Sequence, residues 1–284
     1  MYRYGNASNQ TSFRSNTPLT NDQIARYAPS VLATEAHESR GERYAFIPTV
    51  DVLDGLRREG FQPFEVRQTR CRDTSKRDFT KHLVRLRHES ASAPAYGQGE
   101  VPEIVLLNSH DGTSSYQLLA GFFRLVCSNG LIAGDICNDV RVRHSGNVVD
   151  DVIEGSYRVL DNLNEISSRI DTYKSIELHP REQIAFADAA KLIRWGEEAP
   201  VESSSLIQPR RFEDRKSDLW TTFNRAQEAL LKGGVRGRTT TGKRTSTRAV
   251  SGVTENVKLN RSLWTLADTL AKFKTGEEAL PCAA

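Results

Sequence analysis

The sequence predicts an α+β fold: one helix and a mainly antiparallel β-sheet in the N-terminal half, then an α-helical C-terminal half with a basic inter-helix loop. Three observations carry this. Apolar and polar residues alternate in stretches such as FQPFEVRQTR and FTKHLVRLRH, the two-residue period of a strand. Further on, Val152, Val159, Leu163, Ile166 and Ile170 recur at helical spacing, the period that places side chains on one face of a helix. Between the last two helical stretches lies GGVRGRTTTGKRTSTR, residues 233–248, whose glycines and threonines interrupt both patterns.

Taken in order, residues 1–43 read as a polar, loosely ordered lead-in rich in Asn, Ser, Thr and Arg. IPTVDVLDGLRREGF reads as a helix: Thr49 can cap it, Asp51 suits its positive end, Arg57 and Arg58 its negative end, and Gly60 a left-handed stop. In the strand that follows, Phe64 and Val66 share one face, with Glu65, Arg67 and Thr69 on the other. The next strand sets Val84 and Leu86 against Arg85 and Arg87, and a short basic loop, CRDTSKRD, joins the two. Residues 89–101 read as a linker or a long hairpin loop, EIVLLNS as a short apolar strand, and YQLLAGFFRLVC, apolar on both faces, as a central strand. SNG at 128–130 is a hairpin signal, and LIAGDICNDVRVRH leads the chain back. Four helices follow: the 150–171 stretch; REQIAFADAAKLIRW, opened by Pro180; DLWTTFNRAQEALLK, with a stripe of Leu219, Phe223, Ala226 and Leu230; and VKLNRSLWTLADTLAKF. The expected organisation is a lead-in at 1–43, a sheet domain at 44–146, a helical region at 147–275 with its basic loop 232–248 packed on the sheet, and a tail at 276–284.

Composition narrows the function classes. The chain is 38% hydrophobic, too apolar for wholesale disorder, yet no run reaches the eighteen or so apolar residues of a membrane span. The first twenty residues lack an apolar signal core. Four cysteines in 284 residues, with no C-x-x-C pair, suit neither a disulfide framework nor a zinc site. These features predict a soluble cytoplasmic protein with no membrane partner, metal or cofactor.

Net charge is only +3, but it is segregated. Arg67 to Arg87 holds eight Lys/Arg against two Asp, and Arg210 to Arg248 holds eleven against four acids. Such blocks favour a polyanionic partner. Salt bridging to the acidic remainder is the alternative.

Gly237, Gly242 and Lys243 come within one residue of the G-x-x-x-x-G-K-[S/T] phosphate loop, but Arg244 stands where the magnesium-ligating hydroxyl belongs. A helix, not a strand, precedes the stretch, so the nucleotide reading fails. What remains is a loop with Lys232, Arg236, Arg238, Lys243, Arg244 and Arg248 and no acid before Glu255. Glycines allow close approach, guanidiniums fork onto phosphate oxygens, and threonines add donors. Arg67, Arg70, Arg85 and Arg87 on the predicted sheet form a second set, suited to single strands; Phe64 and Phe79 beside them read as core. Asn108 and His110 share a strand face, while Asp111-Gly112 reads as a turn. No catalytic constellation stands out, and His82 and His88 alone make no metal triad.

YAFIPTVDVLDGLRREGFQPF, KHLVRLRH, NSHDGTSSYQLLAGFFRLVCSNGL and LWTTFNRAQEALLKGG resemble the phage/plasmid-like family catalogued as Domain of Unknown Function 932. The resemblance spans roughly residues 44–270 and implies carriage on phages, prophages and plasmids, with no assigned chemistry. The order of elements is also similar to that of phage single-strand annealing proteins, an analogy of fold alone. The leading expectation is a mobile-element protein that binds nucleic acid, single-stranded DNA favoured, in replication, recombination or maintenance, with a homo-oligomer as a further option. Two alternatives stay open: an anti-defence protein that binds a host nuclease or interference complex, and a metal-dependent nuclease using His110 and Asp111.

Overall fold

The computed structural model describes residues 11–41, 46–90, 99–125, 129–133, 140–142, 148–239 and 241–276. The chain is α+β, as predicted, with its sheet in the first half and most of its helix in the second. Strands β1 (Ser12–Arg14), β2 (Phe61–Gln68), β3 (His82–His88), β4 (Glu100–Asn108), β5 (Tyr116–Arg124), β6 (Asn129–Ile132) and β7 (Val140–Val142) are interrupted early by helices α1 (Asn21–Tyr27) and α2 (Thr49–Arg58). The sheet runs in the order β1-β2-β3-β4-β5-β6, with β7 on β5. Helices α3 (Val148–Ser175), α4 (Pro180–Trp195), α5 (Ser203–Leu206) and α6 (Leu219–Lys232) follow, then strands β8 (Arg236–Arg238) and β9 (Arg244–Ser246), and finally α7 (Val253–Thr275). Two compact units emerge: Met1–Ser90, Val105–Leu118 and Arg141–Ser156 form the first, and Ala91–Ile104, Leu119–Val140 and Tyr157–Ala284 the second.

In the first unit, residues 11–41 are not the loose lead-in the composition suggests. Ser12–Arg14 pairs antiparallel with β2, and Thr20 and Gln23 close a reciprocal capping box on α1. Ile24, Ala28 and Val31 are fully buried, so three apolar side chains fix a segment whose average composition is polar. Pro48, not Thr49, is the N-cap of α2. Thr49 is the first helical residue, and its hydroxyl is used elsewhere. Gly60 ends the helix with φ +85°, as its position suggested.

Strand β2 corrects the simple alternation. Its pairing with β3 slips between Pro63 and Glu65, leaving Phe64 as an extra residue in a β-bulge. The bulge flips the facing of everything after it: Phe61 and Pro63 are buried before it, Val66 and Gln68 after it. Phe64 therefore leaves the face of Val66 and stands half-exposed, with the Arg87 guanidinium 4.3 Å from its ring centre. Phe79 is likewise half-exposed, edge-on to His37.

In the second unit, α4 opens with Pro180 at its first position and a His179–Glu182 capping box. Helix α6 is buried all round from Leu219 to Leu231, a wider burial than its one apolar stripe predicts. Its polar side chains find partners: Asn224 bonds the Trp220 carbonyl at 2.7 Å, Arg225 bonds Gln183 at 2.9 Å through one guanidinium nitrogen and Gln227 bonds Asn260 at 2.7 Å. Trp220 stacks on Phe223, which meets Trp264 edge-on. Helix α7 starts at Val253, behind a Gly252 N-cap, four residues before the apolar spacing announces it. Asn129 and Gly130 belong to β6, Asn129 lying opposite Arg124; residues 126–128, Cys127 and Ser128 of the expected SNG turn among them, lie outside the described residues. Among the described residues no helix is long and apolar enough to cross a membrane.

Candidate nucleic-acid interface

The stretch GGVRGRTTTGKRTSTR is a β-hairpin. Arg236 pairs with Ser246, Gly237 with Thr245 and Arg238 with Arg244. The fold dictates its base and its seat. At the base, Gly233 and Gly234 take φ of +67° and +78°, a conformation that disfavours residues with a Cβ. Gly234 N–H and Thr247 N–H then bond the Thr247 and Val235 carbonyls at 2.8 and 2.9 Å. At its seat, a Cβ on Gly237 would lie 1.8 Å from the Pro200 carbonyl oxygen, so only glycine permits the approach. The adjacent Arg238 N–H donates to that oxygen at 2.8 Å.

Side chains of a strand alternate, and residues paired across a ladder share a face. Gly237 and Thr245 occupy one face, Arg236, Arg238, Arg244 and Ser246 the other. Arg236, Arg238, Lys243, Arg244 and Arg248 are all exposed, and none forms an ion pair among the described residues. A cleft of about 640 Å³ opens between the hairpin and residues 199–205, lined by Arg236, Arg238 and Arg244 with Pro200, Ser205 and one acid, Glu202. Like charges directly opposed across a ladder, as at Arg238 and Arg244, cost stability; an anion in the cleft would reverse that cost. Lys232 differs from the rest, pairing with Glu228 at 3.2 Å.

The sheet arginines sit in the first unit and are largely engaged. Arg14, Glu65 and Arg85 are direct neighbours across β1, β2 and β3. Glu65 bonds Arg14, and lies 3.3 Å from Arg67 and 3.6 Å from Arg85. Burial pushes its carboxyl up, but Arg14, Arg85 and Arg67 overcome that and hold it at about 2. Arg85 is 2% exposed, an internal charge. Arg87 covers Phe64. Of the four sheet arginines named from sequence, Arg70 alone is exposed, and it continues into a loop with Arg72, Lys76 and Arg77, also exposed.

A buried polar cluster in the first unit goes beyond the sequence reading, which placed Asn108 and His110 on one face and joined nothing else to them. The Thr49 hydroxyl oxygen lies 3.0 Å from His82 Nε2, 3.1 Å from His110 Nε2, 3.3 Å from the Tyr116 hydroxyl and 3.0 Å from Asn108 Nδ2. Thr49, His82, Asn108, His110 and Tyr116 have no measurable exposure. His82 Nδ1 lies 3.2 Å from the Thr80 carbonyl and must donate to it. Its Nε2 then accepts the Thr49 proton, while Asn108 and His110 Nε2–H donate to the Thr49 oxygen. The Tyr116 hydroxyl donates to the Ile47 carbonyl at 3.0 Å. Burial, and then His110, hold the His82 imidazole down at about 3, so it is neutral. The hydroxyl-to-imidazole geometry is that of an activated nucleophile, but solvent does not reach it. His110 thus points inward, whereas Asp111 accepts from Thr113 N–H and Oγ1–H at 3.0 and 2.6 Å in its own turn. Those bonds, prevailing over burial, hold the Asp111 carboxyl below its usual range. Among the described residues no cluster of His, Cys, Asp and Glu could hold a metal ion.

Residues 36–264 match the family described as Domain of unknown function (DUF932). The chain belongs to this family. It is 51% identical to the UPF0380 protein YfjQ of Escherichia coli (strain K12) over 258 residues, covering 90% of this chain and 93% of that one. It is 50% identical over the same length to the UPF0380 protein YafZ of Escherichia coli (strain K12), again covering 90% of this chain and 93% of the relative. No solved structure matches. The DUF932 match takes in both the buried Thr49 cluster and the hairpin.

Proposed function

We propose that this DUF932 protein binds nucleic acid, single-stranded DNA by preference, as part of the replication, recombination or maintenance of a mobile element. One observation carries the reading: Arg236, Arg238 and Arg244 stand on one exposed hairpin face, beside a cleft, without an ion pair among the described residues. Backbone phosphates are the ligands that guanidiniums on a fixed frame recognise well. The exposed Arg70–Arg77 loop of the first unit is a second place where a long polyanion would gain contacts. The engaged Arg67 and Arg85 contribute less. The nuclease alternative gains no support, because His110 and Asp111 are turned to separate hydrogen-bond networks.

Fluorescence anisotropy of labelled single- and double-stranded DNA over a salt series tests the proposal. Each phosphate contact to a single strand contributes roughly −0.7 to the slope of log affinity against log salt. The triple substitution of Arg236, Arg238 and Arg244 by Ala is expected to flatten that slope by about 2. An unchanged slope, or no binding by the parent protein, overturns the reading.

A further inference from the structure

The hairpin supplies charge but no aromatic surface, and a second feature of the same unit supplies one. Phe212 is 78% exposed. An exposed ring on a mobile loop means little, but the turn that carries Phe212 is clamped on both sides. Arg211 grips Glu228 through two bonds of 2.8 and 2.7 Å, and Asp214 through one of 2.9 Å. Asp214, buried, is also held by Arg124 at 2.9 Å. Ordered ion pairs therefore hold the ring out in water, where its apolar surface gains nothing.

The surroundings of Phe212 are cationic. The Arg215 guanidinium lies 5.5 Å from its ring centre, and Lys216 follows. Both are exposed, and neither forms an ion pair among the described residues. Phe212, Arg215 and Lys216 line a cleft of about 600 Å³ whose lining also includes Trp220 and Glu100. Glu100 is already committed to the Trp220 indole N–H at 2.8 Å and to Lys174 at 3.2 Å. Asp218 is committed to the Thr221 N–H and hydroxyl at 2.7 and 2.9 Å. Glu213 is the exposed acid that remains on this turn. The turn is tied to the hairpin as well: Arg210 donates to the Gly233 carbonyl at 3.2 Å, at the base of β8.

We infer that Phe212 is a stacking platform for an unpaired nucleobase, with Arg215 and Lys216 receiving the adjoining phosphates. This deepens the proposed function and rests on it. It explains a preference for single strands, because a base inside a duplex cannot offer its face to a protein ring.

The test compares an oligothymidylate of about a dozen nucleotides with an abasic strand of equal phosphate number, a length suited to typical single-strand sites. Stacking of one base is worth about five- to 150-fold in affinity, so the parent protein is expected to favour the thymidylate by a factor in that range. Phe212→Ala is expected to erase this factor while leaving affinity for the abasic strand unchanged, and Phe212→Trp to keep it. Equal binding of both strands by the parent protein overturns the inference, as does an undiminished preference in Phe212→Ala; neither touches the reading of the hairpin. Failure of the parent protein to bind either strand overturns both.

Discussion

Replacing Glu65 by Gln removes a carboxylate that contacts Arg14, Arg67 and Arg85 while keeping the shape of the side chain. Burial alone would raise the Glu65 pKa; the three guanidiniums reverse that and hold it at about 2, against an ordinary 4.5. A folded-state pKa below the unfolded one means the unfolded chain binds the extra proton, so the stabilisation is complete above about pH 5. It is lost as pH falls through 4.5 toward 2. At about 1.4 kcal/mol per pH unit, the difference is about 3 kcal/mol, the lower end of what breaking a buried pair costs. Urea unfolding of the parent protein and Glu65→Gln, from pH 7 down to pH 2.5, measures it. The stability gap is expected to be about 3 kcal/mol and flat between pH 7 and 5, then to narrow below 4.5. His82, which burial holds neutral at about 3, also weakens both proteins as pH falls below 6.5, and cancels in the gap. A gap under about 1 kcal/mol at pH 7, or one as large at pH 2.5 as at pH 7, refutes the reasoning.

Gly237→Ala is expected to lower the melting temperature and weaken DNA binding together. Its Cβ would meet the backbone oxygen of Pro200 at 1.8 Å, and relief of such crowding costs about 1–3 kcal/mol; Gly242→Ala, where no atom lies within 4 Å, isolates the strain of a positive φ from that clash. Thr49→Val keeps the shape of the buried cluster but deletes the hydroxyl shared by His82, Asn108 and His110. Thermal denaturation is expected to show a loss of about 1–3 kcal/mol or more, with Thr49→Ser close to the parent protein.

The fold class was legible because it rests on local period. Helices α3 and α6 repeat apolar residues at helical spacing, Pro180 and Gly60 punctuate their elements as side-chain geometry requires, and β3 alternates. The near phosphate loop was set aside on Arg244, which lacks the magnesium-ligating hydroxyl, and on the helix that precedes the stretch where a strand belongs. The cationic character of residues 232–248 was likewise plain in composition, which needs no neighbours to be read.

What only the tertiary structure decided is where each charge and each polar group went. Periodicity cannot register a bulge, so it placed Phe64 on the face of Val66, when one extra residue at Phe64 turns the ring outward under Arg87. A count of arginines treats Arg85 and Arg236 alike, yet strand pairing brings Glu65 beside the first and no described acid into an ion pair with the second. Thr49 and His82, and Thr49 and His110, are separated by 33 and 61 positions in the chain, so no local pattern could have joined them. The sequence set the local conformations and the balance of charge, because both depend on residues near one another in the chain. Which charges were neutralised, and which stayed exposed, depended on distant segments arriving at the same place.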